Sequence, residues 1–192
     1  TVEGLAIQAT ASSNIGLGAN VVDSITTGDY NVGLGDNALT SNTSASNNTA
    51  VGYQTLDAST TGASNTAIGT SSLGANTTGD GNVGSGYHAL YTNTTGNKNV
   101  ASGYQALYSN TTGNKNVASG YQALYSNTTG TFNVAIGNTA LFSNETGGSN
   151  TAVGMSALKT NSTGSYNTAF GYRALDANTT GANNVAVGSN TG

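Results

Sequence analysis

Apolar, small and polar residues recur along this chain on a beat of 17 residues, far longer than the repeat of an amphipathic helix or a single strand. Each unit opens on an Asn that starts an Asn-(Thr/Val)-small-apolar-Gly string. These anchors are Asn14, Asn31, Asn48, Asn65, Asn82, Asn99, Asn116, Asn133, Asn150, Asn167 and Asn184, with no insertion or deletion between them. Counting the anchor as position 1, position 5 is Gly in all eleven units, and position 9 is Leu in nine of ten complete units, with Val22 in the first. Position 14 is Thr except at Ser44, and position 15 is Gly except at Ala45.

A unit of 17 residues is too short for the helical pair of an α-solenoid. Its Val, Ile, Thr and Tyr between Gly and Asn predict a strand–turn–strand–turn path. Hairpins are disfavoured, because Asn-Gly never occurs and Asp-Gly occurs once, at Asp80-Gly81. The pattern therefore predicts an all-β fold, a parallel β-solenoid or β-roll with one unit per coil. Equal positions then stack at the ~4.8 Å spacing of paired strands, giving a rod on the order of 50 Å long. Residues 14–192 form the solenoid. Residues 1–13 fit the register loosely, with Leu5 at position 9, and are expected to form a degenerate capping coil. At the other end Gly192 cuts a unit at position 9, as expected if the chain continues or its open coil stacks on another copy.

Each row of the stack carries its own expectation. Gly103, Gly120 and Gly137 at position 5, and Gly at position 15, mark corners where φ is positive or another backbone approaches closely. Leu107, Leu124 and Leu141 belong to an apolar ladder through the core. Asn99, Asn116 and Asn133, and the Asn usual at position 12, are expected to form stacked amide ladders. Position 3 is always Ala or Gly, which implies tight packing there. Positions 2 to 4 are apolar or small, as in Val134-Ala135-Ile136, so this strand is suited to burial on both faces. One thin coil covers only one face, and the other points to a homo-oligomer.

The strings Asn65-Thr-Ala-Ile-Gly69, Asn150-Thr-Ala-Val-Gly154 and Gly-Tyr-Gln-Ala-Leu at 103–107 and 120–124 resemble the head repeats of trimeric autotransporter adhesins. They are also similar to the arrays of tail-fibre-like proteins that end in an intramolecular chaperone. The resemblance spans residues 14–192 and implies a left-handed parallel β-roll, a homotrimer, and adhesion at a cell surface or on a virion fibre.

Composition narrows the chemistry. Net charge is −4 and only twelve residues are Lys, Arg, Asp or Glu. Lys98, Lys115, Lys159 and Arg173 read as scattered, which argues against nucleic-acid binding. No stretch is apolar enough for a membrane helix, and the absence of Cys excludes disulfides and thiolate sites. No cofactor is expected. His88, the only His, has no second metal ligand nearby in sequence. The acidic residues fall at different unit positions, although Asp23, Asp29 and Asp36 lie close enough along the chain to suggest a weak cation site. The Gly33-x-Gly35 and Gly84-x-Gly86 strings imitate half of a dinucleotide fingerprint, but the repeat explains both. Asn76, Asn93, Asn110 and Asn127 sit in glycosylation sequons or serve as corner amides.

Tyr recurs at position 6 (Tyr53, Tyr87, Tyr104, Tyr121, Tyr172) and position 10 (Tyr91, Tyr108, Tyr125), with Phe142 extending the second row. These rings could line a stripe facing a host glycan or protein, or cover a corner or a chain interface. The reading is a non-enzymatic, structural or adhesive extracellular fibre segment. Its partners are further copies of itself, as a trimer or an end-to-end filament, and a host surface. The Thr rows at 13 and 14 also suggest a monomeric ice-binding solenoid. A carbohydrate-active β-helix would need carboxylates on neighbouring coils.

Overall fold

The computed structural model describes residues 13–192. The N-terminal capping coil expected over 1–13 lies almost wholly outside them. Eleven three-residue strands follow one another at equal intervals: β1 (Ile15–Leu17), β2 (Val32–Leu34), β3 (Thr49–Val51), β4 (Thr66–Ile68), β5 (Val83–Ser85), β6 (Val100–Ser102), β7 (Val117–Ser119), β8 (Val134–Ile136), β9 (Thr151–Val153), β10 (Thr168–Phe170) and β11 (Val185–Val187). They form one parallel sheet in chain order. The register joins equal unit positions: Val100 pairs with Val117, and Ala101 with Ala118. The described chain is thus a parallel β-solenoid with no helix.

The second strand expected in each coil is absent. Positions 7 and 9 lie in the left-handed region, as at Gln105 (φ 51°) and Leu107 (φ 53°). These residues bend the Tyr-Gln-Ala-Leu-Tyr segment into a compact path in spite of its β-favouring side chains. Position 17 is left-handed too, at Lys98 and Lys115 (φ 58° each). A left-handed conformation costs a non-Gly residue about 1–2 kcal/mol, so the stack must offset several such costs per coil.

It does so by bonding coil to coil almost everywhere. In the coil that begins at Asn99, the amide N–H groups of Val100, Leu107, Ser109 and Thr111 donate to carbonyls of the next coil, at 2.8–3.0 Å. Those of Gly103, Gln105 and Lys115 donate to the preceding coil, at 2.8–3.0 Å. The Ala106 and Asn110 N–H groups close turns within the coil. Backbone donors are therefore paired even where the path is not a strand, as burial demands.

The core is narrow. Ala at positions 3 and 8, Leu at 9 and Asn at 1 and 12 fill it, and from Leu39 to Leu158 the Leu ladder is fully buried. Each buried Leu contributes about 1.5–3 kcal/mol. Positions 3 and 8 compensate one another in volume. Where position 8 is Val21, position 3 of that coil and of the next is Gly. A methyl added to Gly16 would lie 2.6 Å from Val22 Cγ2, and one added to Gly33 would lie 2.7 Å from Val21 Cγ1. Likewise Ser72 at position 8 faces Gly84 of the following coil, where an added methyl would collide with the Ser72 hydroxyl.

Both amide ladders form. The Asn116 N–H donates to Asn99 Oδ1 at 2.9 Å, and Asn116 Oδ1 accepts from the Asn133 N–H at 2.9 Å. Asn110 Nδ2 donates to Asn93 Oδ1, and Asn127 Nδ2 to Asn110 Oδ1. The two ladders converge on position 15, where the Gly113 carbonyl accepts from Asn99 Nδ2 at 2.8 Å and from Asn110 Nδ2 at 3.0 Å. Among the described residues no buried side-chain polar atom lacks a hydrogen bond. The sequon Asn residues 76, 93, 110 and 127 are therefore interior amides, fully buried and inaccessible to a glycan.

The sheet has one covered and one open face. Position 3 points into the core, whereas positions 2 and 4 point out. Ile68, Val100, Ile136 and Phe170 are 46%, 38%, 43% and 57% exposed.

Candidate functional site

The rings of the expected aromatic stripe stack in columns along the rod. Left-handed turns at positions 7 and 9 bring rows 6, 7 and 10 together on one side of the rod. His88 at position 7 stacks on Tyr87 at 3.9 Å and on Tyr91 at 4.7 Å between ring centroids. In the next two coils the same slot holds Gln105 and Gln122, joined by a side-chain hydrogen bond of 2.9 Å. The result is an amide column between two aromatic columns.

Along each column the rings stack on one another. Tyr87, Tyr104 and Tyr121 follow at 5.2 and 5.3 Å, with planes 13° and 7° apart. Tyr91, Tyr108, Tyr125 and Phe142 follow at 5.5, 5.2 and 5.2 Å. This arrangement limits what the stripe can recognise. A pyranose packs its C–H face against an open ring face, and here the interior ring faces are occupied by neighbouring rings. The stripe offers edges, phenol groups and amides, with open faces only at the column ends. Row 6 is exposed and row 10 half-buried. Burial, then the neighbouring phenols of Tyr125, Tyr91 and Tyr87, hold the Tyr108 hydroxyl above the usual phenol range, so it stays neutral at ordinary pH.

Desolvation lowers the His88 pKa from its usual value. The folded chain thus favours the neutral ring, while the unfolded chain takes up a proton more readily. The stability this residue lends is complete above the unfolded pKa of ~6.5 and declines as pH falls through it toward the folded value. His88→Gln continues the Gln105–Gln122 column. It is expected to flatten the variant's melting temperature, relative to the parent chain, between about pH 7 and pH 5. An unchanged pH profile would show that the ring titrates as if free.

The remaining candidates do not assemble. Asp23, Asp29 and Asp36 occupy positions 10, 16 and 6, and among the described residues no group of three His, Cys, Asp or Glu could hold a metal ion. The position-13 hydroxyls donate along the rod to carbonyls of the next coil, as Thr94 to Thr111 and Thr111 to Thr128 at 3.0 and 3.1 Å. The position-14 row is exposed in every complete coil, whereas the position-13 row is exposed only toward the ends of the rod and at Glu145.

One feature escaped the sequence reading. Lys98 and Lys115 are not scattered: they share position 17 in adjacent coils, a relation carried by their 17-residue spacing. They line an open groove of about 580 Å³ with Asn97, Asn114, Thr131 and Phe132.

No protein-family model, no curated protein and no solved structure gives a significant match to this chain. The resemblance to adhesin head repeats rests on the repeated strings themselves.

Proposed function

We propose that this chain is a structural and adhesive segment of an extracellular fibre, on a cell surface or a virion, and not an enzyme. The observation that carries the proposal is the open face of the sheet. Rows 2 and 4 run its whole length, and their Val, Ile and Phe side chains, interspersed with Thr and Ser, stand exposed or half-buried beside a core that is already full. Eleven rungs of outward apolar side chains form a contiguous patch of the kind that marks an association surface. A second copy of the chain has the same rung spacing, so its side chains can interdigitate with this face in register. A homotrimer fits this best, and end-to-end stacking of open coils into a filament is the second form. Attachment then comes from repetition, because one surface displayed at ~4.8 Å steps converts weak contacts into avidity.

The test is the mass in solution by light scattering, with electron microscopy of the same sample. The expected result is a discrete oligomer of short rods, or filaments. Val100→Lys, Val117→Lys and Val134→Lys together should reduce it to the 18.9 kDa chain, because three lysines on adjacent rungs repel one another and resist burial. A parent chain that is itself a monomer would overturn the assembly. The ice-binding reading would then lead, carried by the exposed position-14 row, with thermal hysteresis as its readout.

A further inference from the structure

We infer that the groove at positions 16 and 17, between the coils that hold Lys98, Lys115 and Phe132, is a binding site for an acidic saccharide. This goes beyond the fibre proposal, and it uses a different face of the rod from the Tyr stripe. Lys98 and Lys115 stand on consecutive rungs, ~4.8 Å apart at the backbone, with the same left-handed φ of 58°. They are the only stacked pair of basic residues in a chain of net charge −4. Among the described residues the one ion pair joins Arg173 to Asp176, so neither lysine is neutralised by a contacting carboxylate. Asp80 stands at the groove's rim, but its carboxylate accepts the Ala63 N–H of the preceding coil at 2.7 Å.

The other groups of the groove fit a sugar. Phe132 is 54% exposed and, unlike Tyr104, Tyr121, Tyr108 and Tyr125, stacks on no other ring among the described residues. Lys115 Nζ lies 4.9 Å from its centroid, over one face. The residue at position 17 of the following coil is the small Ser149, which leaves room beside the ring. Asn97 uses its amide hydrogens on the Thr95 carbonyl at 2.9 Å and on Asn114 Oδ1 at 3.2 Å, which fixes the two amides side by side, whereas Asn114 uses one, on the Thr112 carbonyl at 2.9 Å, and keeps the other for a ligand. Paired ammonium groups, an open ring face and the second Asn114 amide hydrogen match, in turn, a carboxylate or sulfate, the C–H face of a pyranose and a sugar hydroxyl. A simple anion would use the lysines alone, and a neutral sugar would leave them unused.

The experiment follows the side-chain amides of Asn97 and Asn114 and the ring protons of Phe132 by NMR. Four probes are titrated into the chain: a tetrasaccharide of alternating glucuronate and N-acetylglucosamine, maltotetraose, inorganic sulfate and a glutamate-rich peptide. The acidic tetrasaccharide is expected to shift all three groups and to bind at least tenfold more tightly than the other probes, with affinity falling at high salt. Lys98→Gln with Lys115→Gln, and separately Phe132→Ser, should each weaken it at least tenfold. All three positions are exposed and outside the core, and scattering mass in the same samples separates loss of ligand from loss of assembly. Equal binding of maltotetraose, equal or tighter binding of sulfate or the peptide, full affinity in either variant, or no binding of the acidic tetrasaccharide would each overturn the assignment.

Discussion

Gly120→Ala is expected to cost about 3–5 kcal/mol and to break the rod at its seventh coil. Gly120 has φ +140°, a conformation that is in practice reserved for glycine. An alanine methyl there would strike the Gly137 carbonyl, with its carbon at 2.7 Å. That carbonyl cannot move aside cheaply, because it accepts the Ala140 N–H at 3.3 Å and the Gly137 N–H is held by Ser119 O at 2.8 Å, while Gly120 itself is held by its N–H on Ser102 O at 2.8 Å. Backbone strain of about 1–3 kcal/mol adds to an overpacking term of similar size. Each coil touches only its neighbours, so damage at one rung uncouples the coils on its two sides instead of spreading through a shared core. Denaturant unfolding of the variant should show two transitions in place of one, with faster amide exchange centred on residues 116–137. A loss below about 1 kcal/mol would mean the coils can separate locally, contrary to the close approach at this corner.

The second large effect is expected at Asn116. Asn116→Ala removes the acceptor of the buried Asn133 N–H and one of two donors to the Gly130 carbonyl, which Asn116 Nδ2 contacts at 2.8 Å. It also leaves a cavity in a fully buried row. An orphaned donor costs about 1–3 kcal/mol, and the lost packing brings the total to about 3–4 kcal/mol. Asn116→Asp separates the hydrogen-bonding part from the packing part. When protonated, the carboxyl can still accept from Asn133 and donate to Gly130. When ionised, it sets a negative oxygen against that carbonyl. Its folded pKa should therefore rise above the unfolded value of ~3.9, so stability is close to the parent's in acid and is lost as pH rises through and beyond that value. Thermal melts of Asn116→Asp across pH, set against Asn116→Ala, measure this directly. Stability of Asn116→Asp that does not fall as pH rises would argue that the amide ladder fills space and bonds nothing essential.

These residues also show why some of the molecule is readable from its sequence and some is not. A strict period says which residues share a row, so the ladders through Leu107, Gly120 and Asn116 follow from spacing alone. It does not say which rows are neighbours around the coil. That depends on the path between them, and the path turns on left-handed residues such as Gln105 and Leu107. Nothing in the intrinsic preference of Gln or Leu announces this conformation; the stacked hydrogen bonds impose it. Hence a second strand is expected where a compact turn occurs. For the same reason spacing predicts stacked Tyr rows but not that the stacking closes most ring faces to a sugar. Position 12 was open to two readings because a sequon and an interior amide look alike until burial is known. The lysine pair was legible in principle. Lys98 and Lys115 are one period apart: along the chain they look isolated, whereas along the rod they touch the same groove.

The units at 99–115 and 116–132 are identical at every position except 16 and 17, where Asn114 and Lys115 give way to Thr131 and Phe132. Their upper and lower rims therefore offer their neighbours the same interior contacts. Unequal recombination within the coding sequence could insert or excise one whole unit here, and the interior rows would rejoin in register. Loss of a single residue, by contrast, would shift every later row against the one before it. Molecular length in such a protein becomes a heritable quantity that changes in whole steps. The two corner residues are free to diversify after each duplication, because the interior does not depend on them.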